Sequence, residues 1–526
     1  MSNVSILDCT LRDGGYCNKW LFGEKNIRKI LFGLSEAKID YVECGYLSNR
    51  SNYRNGSSIY RCFNDIEQLL SYKSVATTYV LMINYGEYLI NDIPEYSGGK
   101  IKGIRLAFHK NQMEDAIKCC KEIQKKGYQL FVQPMVSLSY TDEELLRLIN
   151  QINLINPFAF YIVDSFGIMK RKDLIRLFYM IEHNLNSNVT IGYHSHNNMQ
   201  LAYSNAQSLV DICIKRNLII DTSIYGMGRG AGNLNTELFV EYLNDISSSE
   251  YLIKPLLSII DKILSNFYQQ NYWGYSLPNY LSAKHNVHPR YASYLDEKKT
   301  LTYEAMDDIF HLIDSNHRNH FDKKYIELLY RRYLENGVEQ ETNLNELYEV
   351  LNSKTVLVIA PGQSLISEKD KVLSFIQQIH PIVISINFDY SDYPVDFIFI
   401  SNLRRYSDLN IDKKKKCILT SNIPSVDAYA KIKYSDFLNN YEAVQDNAGL
   451  MLIKFLIQAK VGSVYLAGMD GYSKDSTKNY LDSELTIYNK NAHVDELNDG
   501  MSNAIKVFRQ QVNIEFVTTS RYINLN

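Results

Sequence analysis

The stretch VTIGYHSH, residues 189–196, is a short strand-like run that ends in two histidines spaced two apart. Side chains alternate across a strand, so His194 and His196 point the same way from its C-terminal end. Outward from it the same pattern recurs. Eight strand-like runs, at 4–10, 39–46, 76–84, 102–108, 128–136, 158–166, 189–196 and 218–226, alternate with helix-period segments. In 112–126, Met113, Ala116, Ile117, Cys120 and Ile123 recur at three- and four-residue steps and predict the face turned to the barrel. Eight βα units of this size predict a closed α/β architecture, a (β/α)₈ TIM barrel over residues 1–245. An open doubly wound sheet is the alternative. The barrel is favoured because chemically rich residues close several different runs, at the end where barrel enzymes assemble their sites.

With 526 residues, 45% hydrophobic and 22% charged, the chain has globular composition and exceeds what one core usually supports, so two or three domains are expected. A net charge of −3, from 56 basic and 59 acidic residues, supplies no electrostatic reason for a nucleic-acid partner or an anionic membrane. The basic run Lys413 to Lys416 reads as a solvated loop face. No apolar stretch of about 18 residues spans a bilayer, and no charged-then-apolar leader opens the chain, so the expected location is cytoplasmic. The eight cysteines form no Cys-x-x-Cys pair and read as reduced packing residues.

Residues 246–350 read as a helical lid or extension expected to cover the barrel mouth, including NYWGYSLPNYL (271–281) and KHNVHPRY (284–291). A new βα pattern begins at KTVLVIA (354–360) and continues at 381–388, 396–401, 416–421, 461–470 and 512–518. This predicts a C-terminal Rossmann-like α/β domain over 351–526.

The first run closes in TLRDGGY (10–16), and in a barrel the first, seventh and eighth strands are near neighbours, so Asp13 can reach the point faced by His194 and His196. After the eighth run, GRGAGN (228–233) permits close backbone approach and offers Asn233 as an oxygen ligand. One carboxylate, two imidazoles and an amide suit a six-coordinate divalent metal ion, Mn²⁺ or Mg²⁺, with Zn²⁺ or Co²⁺ as alternatives.

Together LDCTLRDGGY (7–16), GYHSHNN (192–198) and GMGRGAGN (226–233) resemble the DRE-type metallolyase superfamily, and within it the 4-hydroxy-2-oxovalerate aldolases, over about residues 1–285. The resemblance implies a metal-dependent aldolase that makes or breaks a carbon–carbon bond through a pyruvate enolate, with a 2-oxo acid and an aldehyde or sugar aldehyde as substrates. It implies Asp13, His194 and His196 as metal ligands with Asn233 as a fourth, and Arg12 as the group that stabilises the enolate oxygen. A fixed guanidinium beside a chelated oxo acid holds charge where it develops. Those aldolases carry a histidine three residues beyond the aspartate, and this chain has Tyr16 there, a poor base unless its surroundings tune it. Glu43 is expected to orient Arg12, Arg105 to bind the substrate carboxylate or to pair with Glu43, Ser165 to help bind that carboxylate, and Tyr275 to belong to a lid. A synthase joining an acyl-CoA to a 2-oxo acid is the alternative activity, with a non-catalytic C-terminal module. Barrels of this type often pair, so a homodimer is the expected assembly.

In the second half PGQSL (361–365) forms a small-residue turn into a helix whose amides can cradle a phosphate. With SINFD (385–389), the GMDGYS segment (468–473) and NAHVDEL (491–497), it resembles bacterial lipooligosaccharide sialyltransferases. That resemblance implies a CMP-type nucleotide sugar bound through Gly362, Ser364, Asn387, Asp470 and Tyr472, with His493 as base, and a role in surface polysaccharide synthesis. A repurposed binding module is the competing reading.

Overall fold

The computed structural model describes residues 4–49, 55–70, 77–213, 215–247, 249–298, 301–335, 343–407, 409–423, 427–482, 485 and 494–523. The chain forms two compact units, one of residues up to Pro289 together with Arg318–His320, the other of Arg290–His317 and the residues from Phe321 onward.

The first unit is the expected barrel. Its strands are β1 (Val4–Asp8), β2 (Tyr41–Leu47), β3 (Ile59–Tyr60), β4 (Thr78–Asn84), β5 (Ile101–Phe108), β6 (Gln129–Pro134), β7 (Ala159–Asp164), β8 (Thr190–Ser195) and β9 (Leu218–Thr222). They run in the order β1-β9-β8-β7-β6-β5-β4-β2, all parallel, and β1 also pairs with β2, which closes eight strands on themselves. The two-residue β3, absent from the sequence reading, adds to β2. The predicted face of the helix Met113–Lys125 is the buried one, with Met113, Ala116, Ile117, Cys120 and Ile123 all inside.

Arg216 completes the ends of the neighbouring helix Arg171–Asn184 and its exit turn, donating to the carbonyls of Glu182, Leu185, Asn186 and Val189 at 2.6–3.0 Å. Inside the barrel, a Cβ at Gly192 would lie 2.3 Å from the ring of Tyr161. The missing side chain makes room for that ring, and the guanidinium of Arg105 rests 4.9 Å from its centroid. Lys102 is the one lysine on the barrel strands; it is exposed and sits near the start of β5, away from the strand ends where the histidines stand. A Schiff-base lysine is therefore not offered by the strands.

The second unit is built on a separate seven-stranded parallel sheet. Its strands are β10 (Thr355–Ile359), β11 (Ile382–Ile386), β12 (Phe397–Ile400), β13 (Cys417–Thr420), β14 (Ala430–Ile432), β15 (Ser463–Ala467) and β16 (Asn513–Phe516), in the order β14-β13-β12-β11-β10-β15-β16. The chain winds outward from β10 to β14 and then returns to the other side of β10, so the strand order reverses between β10 and β15. Ligands of open parallel sheets bind at such a switch point.

The expected lid divides between the two units. Residues 246–289 stay with the barrel, whereas the helices Arg290–Lys298, Tyr303–His311, Lys323–Glu335 and Leu344–Leu351 pack in the second unit. The cause is their own polar and apolar pairing: Tyr294 donates to Glu327 at 2.5 Å, Lys298 lies 3.2 Å from the same carboxylate, and Ser421 donates to the carbonyl of Leu334 at 2.7 Å. Among the described residues, no helix is long and apolar enough to cross a membrane.

Candidate functional site

His194 and His196 leave the end of β8 with their rings 5.3 Å apart and almost perpendicular. Asp13 arrives from the turn after β1, where the amides of Arg12 and Asp13 both donate to the carbonyl of Cys9, at 3.1 and 2.8 Å. One ligand atom from each of Asp13, His194 and His196 falls within 4.8 Å of the others, and all three residues are buried.

Asn233 joins them through the Gly-rich turn. Its amide nitrogen donates to Asp13 at 2.5 Å, while its oxygen is buried with no hydrogen-bond partner, as is Nδ1 of His196. A Cβ at Gly228 would fall 2.3 Å from that same amide, so the turn tolerates only glycine there. Buried polar atoms are rarely left unpaired. An orphaned amide oxygen and an imidazole whose Nε2 lies 3.7 Å from the carboxylate of Asp13 fit a divalent cation among these residues.

A chain of alternating charges fixes the cluster from beneath. Arg12 donates to Asp13 at 2.7 Å and to Glu43 at 2.7 Å; Glu43 lies 3.0 Å from Arg105; Arg105 pairs with Asp221; and Asp221 lies 3.0 Å from Nδ1 of His194. The contact to Asp221 places the proton on Nδ1 of His194 and leaves Nε2 as the lone-pair nitrogen. Burial pushes the carboxyl of Asp13 up, but His196 and Arg12 outweigh it and hold Asp13 well below the usual carboxylate range. Burial lowers His196 to about 3, only partly offset by Asp13, which keeps the imidazole neutral and ready to ligate. Asp221 is likewise held down, against its burial, by Arg105 and His194.

Residues 105–254 match the HMGL-like family. Over 268 residues the chain is 25% identical to the 4-hydroxy-2-oxovalerate aldolase of Geobacillus genomosp. 3, covering 48% of this chain and 78% of that protein. It is also 25% identical over 244 residues to the oxaloacetate decarboxylase of Mycobacterium tuberculosis (strain ATCC 25618 / H37Rv), covering 45% of this chain and 69% of that one. The HMG-CoA lyase structure of Bacillus subtilis aligns with a TM-score of 0.42 at 15% identity, over 51% of this chain and 94% of that chain.

Around this cluster the remaining predicted residues separate. Arg12 stands at the cluster with Nη2 buried and unpartnered. Arg105 is fully buried and committed to Glu43 and Asp221, so of its two expected contacts the pairing with Glu43 is the one formed. Ser165 accepts from the amide of Val136 at 2.9 Å. Tyr16 is 42% exposed, packs edge-on against Trp20 at 4.7 Å and lies under the guanidinium of Arg229 at 5.5 Å. Tyr275 is half exposed, outside the buried cluster. Sequence reasoning passed over Asp221 and Arg229. The signal for Asp221 was a carboxylate inside the apolar run LIIDT (218–222).

In the second unit a cleft opens at the switch point, with about 840 Å³ of empty space including its open mouth, within the usual size of small-molecule sites. Gly362, Asn387, Asp470 and Tyr472 line it together with Asn402 and Arg405. The phosphate cradle expected of the 361–365 turn is not formed. Gly362 donates its amide to Ala360 at 2.9 Å, and Ser364 donates its amide to the carboxylate of Asp470 at 2.8 Å. Asp470 thus fills the anion position itself. Asn387 accepts from the amide of Ser401 at 3.1 Å, and Tyr472 accepts from Asn447 at 2.9 Å. His493 lies outside the described residues.

Asp221→Asn replaces the charged acceptor that orients His194 with a neutral amide, and Mn²⁺ affinity measured by calorimetry is expected to fall by roughly 10–100-fold. An unchanged affinity would remove Asp221 from the site.

Proposed function

We propose that the barrel is a divalent-metal-dependent carbon–carbon lyase that enolises a 2-oxo acid, pyruvate being the simplest, and joins it to or releases it from an aldehyde or sugar aldehyde. The observation that carries this is the buried Asp13–His194–His196 cluster with the unpartnered Nη2 of Arg12 beside it. The names of the aldolase and decarboxylase relatives agree with a lyase that acts next to a 2-oxo group. Asp13, His194, His196 and the oxygen of Asn233 would hold Mn²⁺ or Mg²⁺, and such an ion supplies Lewis acidity to a 2-oxo acid.

The protein's own groups do the rest. Arg12, locked between Glu43 and Asp13, presents Nη2 to the oxygen on which negative charge develops, and because it is fixed beforehand it costs little reorganisation during the reaction. Tyr16 stands beyond Asp13 at the exposed side of the cluster, where its hydroxyl can exchange a proton with the acceptor oxygen. Ser165 and the 164–169 turn, stapled by Asp164 accepting from the amides of Ile168 and Met169 at 3.0 Å, shape the opposing wall.

For the second unit we infer a nucleotide sugar of CMP type in the cleft, with His493 as the base toward an acceptor hydroxyl and surface polysaccharide as the context. The switch-point position and the amide-rich lining of Asn387 and Asn402 support a nucleotide. Asp470 occupies the amide of the turn, and Arg405, which donates to the carbonyl of Leu485, brings a positive charge to the cleft lining.

Two measurements test these readings. Exchange of the pyruvate methyl protons in D₂O, followed by NMR with Mg²⁺, is expected in the wild type and to slow by roughly 10²–10³-fold in Arg12→Gln. Exchange at the wild-type rate in that variant would exclude Arg12 from charge stabilisation. Titration of CMP is expected to give binding that Arg405→Ala weakens by about tenfold or more, and absence of CMP binding to the wild type would rule out the second assignment.

A further inference from the structure

The Gly-rich turn after β9 brings a third arginine to the cluster. Gly230 adopts a φ of +67° and Gly228 has no room for a Cβ, so Arg229 between them is carried in beside Asp13 and Asn233. Its Nη2 donates to the carbonyl of Ser165 at 2.8 Å, and its guanidinium covers the face of Tyr16. Its Nε is buried without a hydrogen-bond partner. None of these neighbours is an anion. The carboxylate of Asp13, whose field Arg229 also feels, is already divided between Arg12 on one oxygen and Asn233 on the other. His109, at the end of β5, faces Arg229 as well, and burial together with His320 keeps it neutral.

The charges of the cluster make Arg229 a surplus. In the chain from Asp13 to His194, two arginines meet three carboxylates, which leaves one negative charge. A divalent ion turns that into one positive charge, which the single carboxylate of a simple 2-oxo acid neutralises. Arg229 then remains, partly buried and with an unsatisfied donor. A buried guanidinium without a counter-charge is costly, and a donor left unmade costs again.

We infer that the substrate of the barrel is a dianion: a 2-oxo acid whose fragment beyond C3 carries a second anionic group, a carboxylate or a phosphoryl-type group, bound by Nε and the free edge of Arg229. This rests on the 2-oxo acid reading above and narrows it, since a neutral aldehyde fragment would leave Arg229 uncompensated. Arg229 becomes a specificity residue, and Tyr16 beneath it lies against the same fragment.

The test is a calorimetric titration of the Mg²⁺-loaded full chain with three ligands that differ only at the atom placed where C4 sits: 2-oxobutyrate with a methyl, oxaloacetate with a carboxylate and 3-phosphonopyruvate with a phosphonate. The wild type is expected to bind one or both anionic ligands about tenfold or more tighter than 2-oxobutyrate. Which of the two wins identifies the anion. Arg229→Gln is expected to erase the preference while leaving 2-oxobutyrate binding within about twofold, and Arg229→Lys to retain part of it because the charge is kept. No preference in the wild type, or a preference that survives Arg229→Gln, would overturn the inference. If none of the three binds, the 2-oxo acid reading falls and this one with it.

Discussion

Six side chains, Asp13, Arg12, Glu43, Arg105, Asp221 and His194, lie end to end under the barrel mouth, the first five with alternating charges, and every one of them is buried. Ionised groups leave water only at a cost of several kcal/mol each, repaid when each charge sits between opposite charges with good hydrogen-bond geometry. Each member of the row contacts its neighbour, which makes the positions interdependent, although Oε1 of Glu43, Nη1 of Arg105 and Oδ1 of Asp221 make no hydrogen bond. Removal of an interior member leaves a buried charge unpaired, a loss of about 3–5 kcal/mol in comparable cases. The carboxylate of Asp13 and the imidazole of His194, at the two ends, are therefore held by Arg12 and Asp221, which Glu43 and Arg105 fix in turn.

The closed barrel makes such a chain feasible. Arg105 on β5 can reach Asp221 on β9 and Glu43 on β2 only because the sheet curls until these strands face one another across the interior. Gly192 contributes by leaving space for Tyr161, whose ring supports the guanidinium of Arg105. The strand ends and their following turns then deliver Asp13, His196 and Asn233 above the chain. The second unit also places its cleft where strand ends meet, at the reversal between β10 and β15, although there a carboxylate of the protein has taken the position a phosphate would use.

Much of this was legible in the sequence because it is periodic or local. The eight barrel strands and six of the seven strands of the second sheet follow from short apolar runs, and the pairing of His194 with His196 follows from the two-residue repeat of a strand. What escaped depends on contacts between distant positions. Asp221 is a single acidic residue in an apolar strand, and its partners His194 and Arg105 are 27 and 116 residues away. The amide of Ser364 is engaged by Asp470, 106 residues further on, so a turn that looks like a phosphate cradle is filled by the chain itself. Residues 246–350 read as one helical lid or extension expected to cover the barrel mouth, whereas the side chains of the helices after residue 289 pair within the second unit.

The central claim is that Asp13, His194 and His196 bind one divalent ion. Electron spin-echo envelope modulation of the Mn²⁺-loaded protein tests it most directly, because nitrogens bonded to Mn²⁺ modulate the echo. The account predicts one bound ion per chain coupled to two imidazole nitrogens, reduced to one in His196→Ala. Tight Mn²⁺ binding without nitrogen coupling, or coupling unchanged by that substitution, would contradict it.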